Sequence, residues 1–126
     1  MANDSGTLVS SGSSANIPTG SGSERLRRAS IYGLNSGWQT ILSGTAGHIY
    51  TIISVIHFDI QGSGGTINLK INTGGDVQIL GSQAVAVAGT FVWNDRFVLE
   101  EDDDLVVFNT SVLGNWYVSY IDQDWT

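Results

Sequence analysis

The sequence predicts an all-β chain: an antiparallel β-sandwich or jelly roll of about eight strands behind an extended N-terminal arm. Three observations carry that expectation. From Trp38 onward the apolar residues recur with a period of two, and no segment sustains the 3.6 period of a helix. Glycine occurs 16 times against a single proline, which suits short strands joined by glycine turns. Only 13% of the 126 residues are charged, about half of the usual ~25%, so part of the surface is expected to be covered by other chains.

Residues 1–28 are read as the arm. Residues 1–23 hold seven serines and four glycines, with Met1, Leu8, Val9 and Ile17 as the only large apolar side chains. Such a segment buries too little apolar surface to offset its ordering entropy, so order would have to come from a partner. Arg25, Leu26, Arg27 and Arg28 form the hinge to the body and the one basic cluster, suited to bidentate contact with partner carboxylates. Glu24 to Ala29 is the one place where a helical turn is expected.

Residues 29–126 make up the sandwich domain, 98 residues against the ~100 of a typical β-sandwich. Strands are expected at 38–42, 48–60, 66–72, 77–81, 84–93, 96–99, 104–110 and 115–121. Thr66 to Asn72 alternates without error and places Ile67, Leu69 and Ile71 on the core face. Turns flank it at Gln61-Gly62-Ser63-Gly64-Gly65 and at Thr73-Gly74-Gly75-Asp76. In 115–121, Trp116, Val118 and Tyr120 share one face, with Tyr117, Ser119 and Ile121 on the other. Strand 48–60 departs from the pattern. Tyr50, Ile52, Ile56, Phe58 and Ile60 read as core, yet Ile49, Ile53 and Val55 make the opposite face apolar before it turns polar at His57 and Asp59. Apolar residues on both faces mean a strand covered twice, and Ile49, Ile53 and Val55 become candidates for a subunit interface.

Charge is unevenly placed. The formal net charge is −7, with ten acids against Lys70 and Arg96 in residues 29–126. A body this acidic repels phosphate backbones, so nucleic acid is not expected as a partner. The longest apolar stretch, Ile49 to Ile60, is interrupted by Thr51, Ser54, His57 and Asp59, too short for a membrane span. The first residues show no secretory pattern, and a soluble product is expected.

Chemistry is sparse. Without cysteine there is no disulfide, thiol nucleophile or thiolate metal site. His48 and His57 lack ligand partners at zinc-site spacing, and no Gly-x-Ser-x-Gly elbow marks a serine nucleophile. Drawing a carboxylate pair for glycoside cleavage from Asp59, Asp95 or the acidic run has no support in spacing. The run Glu100-Glu101-Asp102-Asp103-Asp104 offers oxygens to calcium. Its carboxylates are adjacent rather than spaced, and extended backbone splays Asp102, Asp103 and Asp104 apart, so a solvated turn is expected. Trp38, Trp93, Trp116, Tyr117, Tyr120 and Trp125 are read as core or interface residues, with sugar binding as the other use of such aromatics. Catalytic residues, cofactors and metals are not expected.

Trp38 to Val55, Phe97 to Glu100 with Asp104 to Val107, and Trp116 to Ile121 together resemble a pattern in tailed-bacteriophage virion proteins. In those proteins a short strand enters an Ala-Gly turn, a long strand follows, and a terminal strand closes the sheet. Within that group the chain is most similar to capsid decoration, or cement, proteins. The resemblance covers about residues 37–122. It implies a structural protein that forms a homotrimer on the outer surface of the virion capsid, assembled in the host cytoplasm, with terminal arms that bind the major capsid protein. It carries no catalytic residues. A carbohydrate- or receptor-binding module of a phage tail or head fibre is the competing expectation.

Overall fold

The computed structural model describes residues 23–60, 64–110 and 113–126. Nine strands follow in chain order: β1 (Ser23–Leu34), β2 (Gly37–Ser43), β3 (His48–Asp59), β4 (Gly65–Asn72), β5 (Asp76–Val85), β6 (Thr90–Trp93), β7 (Phe97–Leu99), β8 (Asp104–Asn109) and β9 (Gly114–Asp124). The described residues contain no helix. Residues 1–22, and 61–63 of the expected glycine hairpin, lie outside the described residues.

The strands form two antiparallel sheets packed face to face. Sheet A runs β1-β9-β3-β6, with β7 pairing β3 beyond β6, and sheet B runs β2-β8-β4-β5. The chain crosses between the sheets repeatedly, and β6 and β7 share one position beside β3. This is the strand order of a jelly roll.

Period-two patterning builds the core. Ile67, Leu69 and Ile71 of β4 face Leu105 and Val107 of β8, and all five are buried. From sheet A come Tyr50, Ile52 and Val55 of β3, Leu99 of β7, and Trp116, Val118 and Tyr120 of β9. The faces expected for β4 and β9 are the faces observed.

Three expectations fail for local reasons. The segment Glu24–Ala29 is not a helical turn. It is the first half of β1, paired residue by residue with β9 from Ser23 opposite Asp124 to Ile31 opposite Trp116. Residues 23–28 therefore belong to the sheet. The strands expected at 77–81 and 84–93 divide elsewhere. β5 continues through Gly81 and Ser82 with register shifts against β4, Ser82 takes a positive φ of 48°, and the Asn68 side chain accepts the Ser82 N–H. The chain instead turns at 86–89, where the Gly89 N–H donates to the Ala86 carbonyl at 2.8 Å.

The third correction concerns β3. Its pairing with β9 shifts between Ile52 and Ser54, so Ile53 is an extra residue, a β-bulge. A one-residue insertion moves every later side chain to the opposite face. Val55, His57 and Asp59 consequently point inward and are buried, while Ile56 and Phe58 point outward.

Candidate functional site

At one end of the sandwich the inverted half of β3 creates a buried polar cluster. His57 is 1% exposed, and its ring meets Trp116 edge-on at 4.7 Å between centroids. Neither ring nitrogen has a hydrogen-bond partner among the described residues. Gly114 closes the space above it: a Cβ at that position would lie 2.3 Å from His57 Nε2, so only glycine fits. Trp116 Nε1 donates to Asn109 Oδ1 at 2.9 Å, and Asn109 Nδ2 donates to the Leu34 carbonyl at 3.0 Å. The buried Asp59 carboxylate accepts the N–H of Gly64 at 2.7 Å and of Ala88 at 3.3 Å, fastening two loops to β3.

Burial holds the His57 pKa below its ordinary 6.5, and the Asp59 charge opposes that fall only in part. The unfolded chain therefore takes up a proton near pH 6.5 while the folded chain resists it. The neutral ring's contribution to stability is complete above that pH and is lost as pH falls through it toward the folded value. Between pH 7.5 and 5.5 the urea midpoint of the wild type should drop more steeply than that of His57→Gln. Parallel pH profiles for the two proteins would refute this assignment.

A second polar cluster occupies the other end of sheet A. Asp122 is 4% exposed and accepts Arg27 Nε at 2.9 Å and His48 Nδ1 at 2.7 Å. His48 Nε2 lies 3.6 Å from Asp124. The hydroxyl and amide of Thr126 hydrogen-bond to the Asp124 carboxyl, and these bonds, with a smaller pull from His48, keep its pKa low. One of the expected partner-binding residues, Arg27, is thus engaged within the chain by Asp122.

The acidic run is the β7–β8 turn. The Asp103 carboxylate accepts the Glu100 N–H at 2.9 Å, and the Asp103 carbonyl accepts the Gly44 N–H at 2.7 Å. Among the described residues no group of three or more His, Asp or Glu side chains is placed to hold a metal.

The outer face of sheet A collects most of the proposed interface residues. Cross-strand register sets Leu26 beside Ile121, Ile121 beside Thr51, and Thr51 beside Val98. A parallel row runs Ser30, Tyr117, Ile56, Val92. Leu26 is 75% exposed and Val92 50%, with Val98, Phe58 and Tyr117 also exposed. Among the strand residues of this face only Glu24 and Arg28 are charged, and Glu24 is engaged by Gln123 Nε2 at 2.7 Å. A polar row, Arg28, Ser119 and Ser54, separates the two rows. Ile49 and the bulge residue Ile53 are half-buried, whereas Arg25, Arg27 and Arg28 line the edge strand. Val55 is not available to a partner: the bulge turns it into the core, 2% exposed. Sequence reasoning missed Val92, Val98 and Tyr32, because single apolar residues on short or irregular strands show no period.

No protein-family model matches the chain, and no curated protein matches it in sequence. Solved structures do match in fold. A Bacillus endospore appendage protein, which forms disulfide-linked pili, has a TM-score of 0.51 at 12% identity, covering 93% of this chain and 100% of that one. A chain of the Helicobacter pylori bacteriophage KHP30 capsid has a TM-score of 0.49 at 12% identity, covering 78% and 86%. A chain of the cyanophage Pam1 capsid asymmetric unit has a TM-score of 0.45 at 14% identity, covering 98% and 96%.

Proposed function

We propose that the protein is a structural virion component, a capsid decoration protein that self-associates through the outer face of sheet A and attaches to a phage shell through the segment preceding β1. The apolar outer face of sheet A carries this reading. Six of its residues, Leu26, Phe58, Val92, Val98, Tyr117 and Tyr32, are large, apolar or aromatic, and exposed. A second copy seated there would remove their remaining exposed area from water, at about 25 cal/mol per Å² of apolar surface covered. The resemblance of residues 37–122 to decoration proteins points to a trimer and to the major capsid protein as the second partner.

The attachment segment is residues 1–22. Its composition offers no core of its own, and its route into the body is the edge strand β1 with Arg25, Arg27 and Arg28. Extended contact with shell subunits supplies backbone pairing that such a segment cannot make alone. The test uses shells of the cognate virus assembled without this protein. Full-length chain should co-sediment with them to a saturating ratio, and a fragment of residues 23–126 should stay folded and oligomeric but remain in the supernatant. Failure of the full-length chain to bind would overturn the decoration role. Binding of the fragment at undiminished occupancy would transfer attachment to the body.

A further inference from the structure

On the opposite side of the molecule, the outer face of sheet B has a different character. Trp38, on the edge strand β2, is 45% exposed, and two side chains pack against its ring. Phe108, its direct cross-strand partner, packs at 4.8 Å between centroids with a tilt of 38°. The Lys70 ammonium lies 4.1 Å from the Trp38 ring centroid and is fixed by Asp76 Oδ2 at 2.9 Å. The Lys70 side chain is only 17% exposed, while Trp38 keeps 45% of its surface open to solvent.

Polar side chains surround this ring in register. Asn68 continues the row of Trp38 and Phe108, and the next row holds Thr40 and Gln78 on either side of Val106 and Lys70. We infer that this face binds a neutral carbohydrate chain, with one pyranose ring stacked on Trp38. The apolar C–H face of a pyranose is complementary to the electron-rich face of an indole. Its equatorial hydroxyls need donors and acceptors at the rim of the aromatic plate, which amide and hydroxyl side chains supply. The plate is immobilised before any ligand arrives, so little ordering cost remains to be met on binding. Lys70 is neutralised by Asp76 and is covered, while Asp104 lies in the third row beside Asn72. Uronic or sialic acids would meet that uncompensated carboxylate, which selects for uncharged sugars. The inference is independent of the self-association of sheet A.

Native electrophoresis of the full chain through gels containing hydroxyethylcellulose, galactomannan, soluble starch or, as the acidic control, alginate tests it. At least one neutral polymer should retard the wild type, and alginate should not. Trp38→Ala should weaken that retention by about tenfold or more, equivalent to ~1.4 kcal/mol, and Trp38→Phe should restore part of it. The substitution leaves net charge unchanged, so mobility reports binding. Wild-type migration unaffected by all three neutral polymers would overturn the assignment. So would Trp38→Ala migrating as the wild type does, or a change in the variant's solution mass, which would make the face a protein contact.

Discussion

Trp116→Ala should lower the free energy of unfolding by about 3–5 kcal/mol, the usual cost of emptying a buried aromatic site. Trp116 is 2% exposed, in the central strand β9 between β1 and β3. Its indole fills the core end of the sandwich, supports the His57 ring edge-on, and donates to Asn109 Oδ1 at 2.9 Å. Truncation leaves a cavity beside the buried His57 ring, whose nitrogens have no hydrogen-bond partner among the described residues. A domain of this size has about 5–15 kcal/mol of total stability, and a loss on that scale leaves it near the threshold of folding. Trp116→Phe separates the two roles. It keeps most of the packing and removes the donor to Asn109, for a smaller cost of about 1–3 kcal/mol. Urea titration followed by far-ultraviolet circular dichroism checks both. An alanine variant within 1 kcal/mol of the wild type, a margin that a surface change would give, would mean that Trp116 does not anchor this core.

How far the sequence shows the fold depends on whether the two faces of a strand differ in polarity. In β4 they do, and the alternation of Ile67, Leu69 and Ile71 with Asn68 and Lys70 was sufficient to orient it. The same holds for Trp116, Val118 and Tyr120 of β9. In β3 both faces are apolar, because one meets the core and the other is the exposed patch of sheet A. Hydropathy then contains no mark of the bulge at Ile53, and a strict period of two puts Phe58 inside and His57 outside, the reverse of what the register dictates. β1 was hidden for another reason. Its inward positions Arg25 and Arg27 lie at the end of the sandwich, where charge is tolerated because Asp122 receives Arg27. A strand whose first half is charged on both faces looks like a hinge. The tightest loop contacts were equally hidden. A Cβ at Gly44 would lie 2.0 Å from the Glu100 carbonyl oxygen, a proximity between the β2–β3 and β7–β8 loops that only the folded structure reveals. In the sequence the proposed surface shows only as the low charge fraction and the doubly apolar strand. Its membership depended on tertiary register.

The second large effect is on assembly. Placing carboxylates in the middle of the sheet A face, as Val92→Asp with Tyr117→Asp, should leave the fold intact and disrupt association. Both positions are partly open to water in the single chain, so the monomer should change by little, surface substitutions being within about 0.5 kcal/mol. In an interface the carboxylate at position 92 would be desolvated without a partner, since Arg28, the one basic strand residue on that face, lies beside Tyr117 on the far side of β3. An uncompensated buried charge costs several kcal/mol, which shifts a dissociation constant by orders of magnitude. Trp38→Ala, on the opposite sheet, serves as the control and should assemble normally.

Sedimentation velocity of wild type and the double variant at micromolar concentration tests the central claim most directly. The wild type should sediment as three copies of the 13.4 kDa chain, and Val92→Asp/Tyr117→Asp should sediment as one folded copy with an unchanged circular dichroism spectrum. A wild type that sediments as a monomer, or a double variant that keeps the wild-type mass, would contradict the account of sheet A as the surface through which this protein assembles.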